Sequence, residues 1–282
     1  MDANRRVAVI TGAASGIGLA FTKVCLQNNI NVVMADKAVT ELCDQVELLS
    51  SESDADIYGV VTDVTSMDSV NQLAKQAIEH FGRIDWLFNN AGISGRLAPI
   101  WQMPLAHIRT ILDVNLHGII HCIQAFTPLM IKQPHECKII NMASMYGLFS
   151  GSQVGAYAMS KSAIIALSES LYFDIQRLNH PIGVSVICPS FVDTSLLNNS
   201  APVHRDPMHE KLAKVLAYSR SADDVAQSIY QGVEAGQFYI FPDLEVKAHY
   251  EDRVNAMLAG SMPHTNAIEK LLSQLSDRTT TA

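Results

Sequence analysis

Charge is scarce in this sequence, at 17% of 282 residues, and a basic excess is missing, with 20 Lys and Arg against 28 Asp and Glu. The resulting net charge of -8 argues against nucleic acid or an anionic membrane as the main partner. Cysteine is sparse as well. The five residues Cys25, Cys43, Cys122, Cys137 and Cys188 are an odd set without C-x-x-C spacing, which excludes a disulfide scaffold and points to reduced thiols used as small hydrophobes. A long clean apolar run is also lacking. The longest uncharged helical candidate, residues 114–131, is interrupted by Asn115, His117, His121, Gln124 and Pro128, so it reads as a buried helix of a soluble protein. The first six residues carry no apolar secretory core, so a cytoplasmic protein with no membrane partner is expected. No G-x-S-x-G elbow accompanies any serine, which disfavours ester hydrolysis. His117 and His121 share helical spacing but no acidic residue in a metallohydrolase pattern, so they read as a partly buried structural pair and no metal is expected.

What is abundant is apolar surface, 48% of the chain, enough to bury a core and to exclude disorder over most of its length. Short β-branched runs recur at residues 7–11, 31–35, 57–61, 86–89, 138–142, 182–187 and 238–241. Helical stretches lie between them, among them 16–28, 67–81, 108–130, 156–178 and 222–234. Thr65 and Ser66 before one helix, and Ser221 with Asp223 and Asp224 at another, are N-terminal signals. Strict alternation of strand and helix specifies right-handed βαβ units, hence an α/β fold with a doubly wound, mostly parallel sheet covered by helices on both faces. Without a repeat or long linker, residues 1–242 read as one domain that includes a variable lid at 195–217. Residues 243–282 read as a short helical extension and tail, with helical spacing at 244–258 and 268–275.

Directly after the first strand comes Thr11-Gly12-Ala13-Ala14-Ser15-Gly16-Ile17-Gly18, a glycine turn that opens a helix. Such a turn lets a pyrophosphate approach the main chain, where the helix N-terminus offers free N–H donors and a positive dipole. No Lys-Ser or Lys-Thr follows the glycines, which disfavours a Walker-type nucleotidase. Alone, the turn could be a tight bend with tolerated glycines. Asp36 at the end of the second strand strengthens the dinucleotide reading, because its carboxylate can accept from both ribose hydroxyls and would repel a 2′-phosphate. NAD is therefore expected over NADP, with Lys37 partly offsetting the repulsion.

Tyr157 and Lys161 stand at i and i+4 of a helix, and no other tyrosine has lysine at that spacing. Tyrosine ordinarily titrates near ~10, so acid–base work at neutral pH needs a shift of about 3 units, or about 4 kcal/mol. A lysine ammonium and an oxidised nicotinamide would both favour the phenolate. Taken alone, the pair reads more readily as an exposed helix contact than as a catalytic one.

Taken in order, Thr11 to Gly18, Asp63-Val64, Asn89-Asn90-Ala91-Gly92, Asn115, residues 140–144, Tyr157 to Lys161 and Pro189 to Thr194 resemble the short-chain dehydrogenase/reductase family over most of residues 7–194. The resemblance implies a Rossmann-type fold. It implies Tyr157 as proton donor or acceptor, Lys161 lowering its pKa and binding the nicotinamide ribose, Ser144 polarising the substrate oxygen, and Asn115 holding a relay water. It implies cofactor contacts at Gly12, Ser15, Gly16, Ile17 and Gly18. It assigns Asp63 and Val64 to the adenine, Asn90, Ala91 and Gly92 to the adenosine side, and Pro189, Val192 and Thr194 to the nicotinamide. Ser190 departs from the family, which usually has glycine there, so the geometry of that loop is open.

The expected activity is hydride transfer between NAD and a secondary alcohol or ketone, a small-molecule substrate set by residues 93–103, 146–153 and 195–217. Two other readings are weighed: a catalytically inactive nucleotide-binding scaffold or redox sensor, against which the complete Asn115, Ser144, Tyr157 and Lys161 set speaks, and a nucleotide-sugar isomerase or epimerase, for which the tail is short. The resemblance also implies a homo-oligomer, with a tetramer favoured over a dimer, built through the helices that contain 114–131 and 156–178.

Overall fold

The computed structural model describes residues 5–193 and 219–263. Seven parallel strands form the main sheet: β1 (Val7–Thr11), β2 (Asn31–Asp36), β3 (Ile57–Val61), β4 (Trp86–Asn89), β5 (Cys137–Met142), β6 (Ile182–Ile187) and β9 (Tyr239–Ile240). Their order is β3-β2-β1-β4-β5-β6-β9, and β7 (Val192–Asp193) pairs separately with β8 (Arg220–Ser221). The crossover helices are α1 (Gly16–Gln27), α2 (Val39–Glu52), α3 (Met67–Phe81), α4 (Leu105–Leu112), α5 (Gly118–Ile131), α7 (Gly155–Leu178) and α8 (Ala222–Glu234). A short α6 (Met145–Leu148) follows β5, and α9 (Glu245–Leu258) follows β9. Each anticipated strand is present, β9 being the central two residues of its run. Val39–Glu52 is a helix that the sequence reading did not single out.

Period-two alternation divides the core between the two faces of the sheet. Ala8 and Ile10 of β1 join Phe21, Val24, Trp86, Phe88 and Ile229 under α1 and α8. Val7 and Val9 face the other way, toward Leu73, Phe126, Met130, Leu171 and Ile175 of α3, α5 and α7. Four of the five cysteines are buried and Cys43 is exposed. Leu105–Ile131 is long and apolar enough to cross a bilayer, yet Cys122, Phe126 and Met130 insert into this core, which makes it a packed crossover helix. The two anticipated helix starts are capped: Ser66 Oγ accepts from Ser69 N at 3.3 Å, and Ser221 Oγ from Asp224 N at 3.1 Å.

Parallel strands leave all their C-terminal ends on one edge, so Gly12, Asp36, Asp63, Asn90 and Ser144 emerge side by side. The order reverses between β1 and β4, and a crevice at such a reversal is where open α/β sheets take ligands. Across the middle of the sheet runs a buried amide chain. Asn89 Nδ2 donates to Asn141 Oδ1 (2.8 Å), Asn141 Nδ2 to Ser168 Oγ (2.9 Å), and Ser168 Oγ to the Ile164 carbonyl (2.7 Å).

Candidate active site

The glycine turn is fixed by what surrounds it. Gly12 and Gly16 have φ of +65° and +54°, a region costly for any side chain. A Cβ on Gly18 would lie 2.1 Å from the Gly12 carbonyl oxygen, so only glycine lets α1 start this close to the turn. Asn90 braces the turn from β4, with Nδ2 donating to the Thr11 carbonyl (2.9 Å) and to the Gly12 carbonyl (3.2 Å). Thr11 Oγ1 in return accepts from the Asn90 and Ala91 amides at 3.0 and 3.1 Å. Asn90 and Ala91 thus hold the turn's shape.

Ser15 is exposed at the start of α1, and its side chain makes no cap hydrogen bond. The first turn of α1 carries no acidic residue, so nothing there opposes an anion at the helix dipole. Asp36 Oδ2 accepts from Ala14 N and Oδ1 from Ala38 N, both at 3.0 Å. Each oxygen keeps a lone pair for a ribose hydroxyl. Asp63 is held below the usual carboxylate range first by the Thr65 amide (2.9 Å) and then by the Thr65 hydroxyl (2.8 Å). Val64 is buried, packed where a Cβ on Gly118 would stand 2.8 Å from its Cγ2. Gly12, Ser15, Gly16, Ile17, Gly18 and Asp36 therefore form a cradle whose donor and acceptor set fits a dinucleotide.

The catalytic candidates converge at the next strand ends. Ser144 caps α6, its Oγ accepting from Tyr146 N at 3.2 Å. The Ser144 hydroxyl lies near enough to the Tyr157 phenol to favour its ionised form. Lys161 is 3% exposed, donates to the Met142 carbonyl at 2.8 Å, and lies 5.7 Å from the centre of the Tyr157 ring. Asn115 sits in one turn of π-helix (Asp113–His117) that interrupts the helix between α4 and α5. Its Oδ1 accepts from Ile93 N (2.8 Å), and its Nδ2 donates to the Ile93 carbonyl (2.9 Å) and to Ser160 Oγ (3.1 Å). A Cβ on Gly92 would stand 3.3 Å from Asn115 Oδ1 and 3.6 Å from Lys161 Nζ, which locates all three at one point.

Burial governs the ionisation here. It pushes the Tyr157 phenol up to about 12, against which the Ser144 hydroxyl pulls down. It pushes Lys161 down to about 8. Without nucleotide, desolvation outweighs any lowering of the Tyr157 phenol. The Asn115 side chain is held by Ile93 and Ser160, which fixes the residue beside Lys161.

Past β6, the Pro189 carbonyl accepts from Met145 N at 2.9 Å, which ties that loop to the Ser144 turn. Ser190 is absent from the positive-φ residues, so serine is accommodated without strain. Its N–H donates to Asp243 Oδ2 at 2.8 Å. Val192 is buried in β7, while Thr194 and the lid at 195–217 lie outside the described residues, as do residues 268–275. His117 is exposed, a correction to the partly buried pair: it meets Asp113 at 3.0 Å, whereas His121 meets the Val64 carbonyl at 2.9 Å. Their partners differ, so they do not act as one site.

Several participants escaped the sequence reading. Ser160 accepts from Asn115 and donates to the Tyr157 carbonyl at 2.7 Å; its place inside the Tyr157–Lys161 motif was the available signal. Tyr146, in the segment 146–153 already assigned to the substrate, stands edge-on to Tyr157 and Phe191, with ring centres 6.3 and 6.2 Å away. Asp243 had no motif to mark it.

Comparison with known proteins places this geometry. The short chain dehydrogenase family model matches residues 6–204. A 1-deoxy-11-beta-hydroxypentalenate dehydrogenase from Streptomyces avermitilis is 33% identical over 88% of each chain. A galactitol 2-dehydrogenase from Agrobacterium fabrum is 34% identical over 68% of this chain and 73% of its own. A short chain dehydrogenase/reductase from Burkholderia phymatum, solved in complex with NAD, superposes with a TM-score of 0.87 at 30% identity, covering 94% of this chain and 98% of that one. A sheet reversing at a glycine turn, a tyrosine, lysine, serine and asparagine gathered at its edge, and these matches lead to one assignment: the chain is a member of the short-chain dehydrogenase/reductase family.

Proposed function

We propose that the protein is an NAD-dependent dehydrogenase/reductase that interconverts a secondary alcohol and its ketone with Ser144, Tyr157, Lys161 and Asn115. The observation that carries this reading is the gathering of Asn115 and the buried Lys161 at one point, with the Lys161 amine 5.7 Å from the centre of the Tyr157 ring and bonded to the Met142 carbonyl just before Ser144. When bound, the nicotinamide takes up or gives back the hydride. As a phenolate, favoured by the Lys161 ammonium and by the positive charge an oxidised nicotinamide would bring beside it, Tyr157 Oη takes the hydroxyl proton during oxidation; as a phenol it gives its proton to the substrate oxygen during reduction. Ser144 Oγ holds the substrate oxygen by a hydrogen bond that strengthens as charge gathers on it. Asn115 and Ser160 fix the helix turns that aim Tyr157 and Lys161.

Asp36 supports NAD over NADP, and the Burkholderia relative solved with NAD agrees with that preference. In this reading Asp63 and Val64 serve the adenine, Asn90, Ala91 and Gly92 the adenosine side, and Pro189 and Val192 the nicotinamide. A small-molecule alcohol or carbonyl is the partner, as the names of the dehydrogenase relatives suggest. Exposed Met159 and Phe173 on α7 support burial against a second copy of the chain, and the tetramer is the assembly that the family resemblance implies. The test is a panel of alcohols and ketones followed by nicotinamide absorbance, with NAD and NADP separately. Turnover of a secondary alcohol with NAD is expected. Nucleotide binding without turnover of any member would favour a non-catalytic scaffold.

A further inference from the structure

The C-terminal segment touches both loops that carry the chemistry. Asp243, just past β9, is buried, and its Oδ2 accepts from Ser190 N at 2.8 Å. Arg220 meets Asp243 Oδ1 at 3.4 Å and donates to the Pro242 carbonyl at 2.6 Å, with its other nitrogen on the Asp224 carbonyl and Ser228 Oγ, both at 3.1 Å. About two turns along α9, Arg253 donates to the Leu148 carbonyl at the end of α6. Between them, fully buried Val246 joins the cluster of Met145, Tyr146 and Leu148, and His249 meets Phe149 edge-on at 5.4 Å. Because Met145 N also bonds the Pro189 carbonyl, the Ser144 turn and the Ser190 loop are held as one unit from behind.

We infer that Asp243 and Arg253 are positioning residues, and that α9 is a clamp fixing the Ser144 turn and the Pro189–Val192 loop relative to each other. The inference rests on the proposed reading of Ser144 as a substrate contact. It also explains how serine serves at 190: the carboxylate of Asp243 orients the amide without requiring glycine's freedom. Neither residue touches reacting atoms, so its loss acts through geometry, and small displacements of a reacting group are costly in rate.

The test compares Asp243→Ala, Arg253→Met and Arg253→Lys in the full chain. Amide exchange without nucleotide should rise about tenfold in peptides spanning 144–149 and 188–192 for Asp243→Ala and Arg253→Met, with β1–β3 unchanged. The kcat of both should fall about tenfold at a KM for nucleotide within about twofold of the parent, and Arg253→Lys should restore most of the loss. Exchange that stays at parental levels in both peptides, or rises equally across the whole sheet, overturns the clamp. Arg253 is exposed, so its variants fold even if Asp243→Ala does not. A parent protein that turns over no alcohol or ketone defeats the proposed function alone, since the exchange measurement still decides whether the clamp exists.

Discussion

The two ends of the crevice are built from different material. At the nucleotide end, between β1 and β3, shape is set by main chain: glycines pressed against carbonyls, and side chains such as Asn90 and Asp36 that bond backbone groups of the turn. At the catalytic end, beyond β5, shape is set by buried side chains bonded to each other and to distant loops, as in Asn115, Ser160 and Lys161. The first design is sensitive to added bulk, the second to lost polar atoms.

Tyr157→Phe gives the sharpest contrast, because it deletes one oxygen at the catalytic end. Turnover should fall by about 10³-fold or more while nucleotide affinity, read by fluorescence titration, stays within about twofold. An equal loss of both would erase the distinction between the ends. Gly18→Ala makes the converse change. A Cβ 2.1 Å from the Gly12 oxygen forces the turn open, so nucleotide binding should fall at least ~100-fold and thermal unfolding should show a loss of about 3 kcal/mol. Normal binding in this variant would mean that the main chain does not set the shape.

Asp36→Ala should narrow the preference for NAD over NADP by about 10–100-fold, with kcat on the better nucleotide changed less than threefold. Ratios of kcat/KM for the two nucleotides check it. The smallest effect concerns pH. The folded pKa of Lys161 is depressed from its ordinary 10.5 to about 8, so folding of the protein without nucleotide favours the neutral amine. The stability this gives is present above pH ~10.5 and is lost as pH falls toward 8. Lys161→Met removes that penalty, and its melting temperature relative to the parent should be highest near pH 7 and decline as pH rises from 8 to 10.5. A difference constant across that window would show that the amine is not desolvated.

The alternation of strands and helices and the family motifs were legible because each is local. Strand boundaries at β1, β3, β4 and β6 follow the β-branched runs to the residue, and Gly12 to Gly18, Ser144 and Tyr157–Lys161 occupy the strand edge that their spacing implied. What could not be read depends on partners far away in the chain. Asp243 and Ser190 are 53 residues apart, and Arg253 and Leu148 are 105, with no periodicity to announce either. The direction of the Tyr157 shift was likewise hidden, because spacing reveals the neighbouring lysine but not how far each group leaves water. The π turn at Asn115 adds one residue to a helix that otherwise reads as continuous.

The amide chain from Asn89 through Asn141 to Ser168 has a consequence for aim. Ser168 lies eleven residues beyond Tyr157 on the same helix, about 16 Å along its axis. Locking Ser168 to two neighbouring strands sets the roll of the whole cylinder, as a keyway sets a shaft. The phenol's bearing is thus dictated from deep in the protein, and redesigns that keep every group near the substrate but disturb this distant key would turn the reactive oxygen aside.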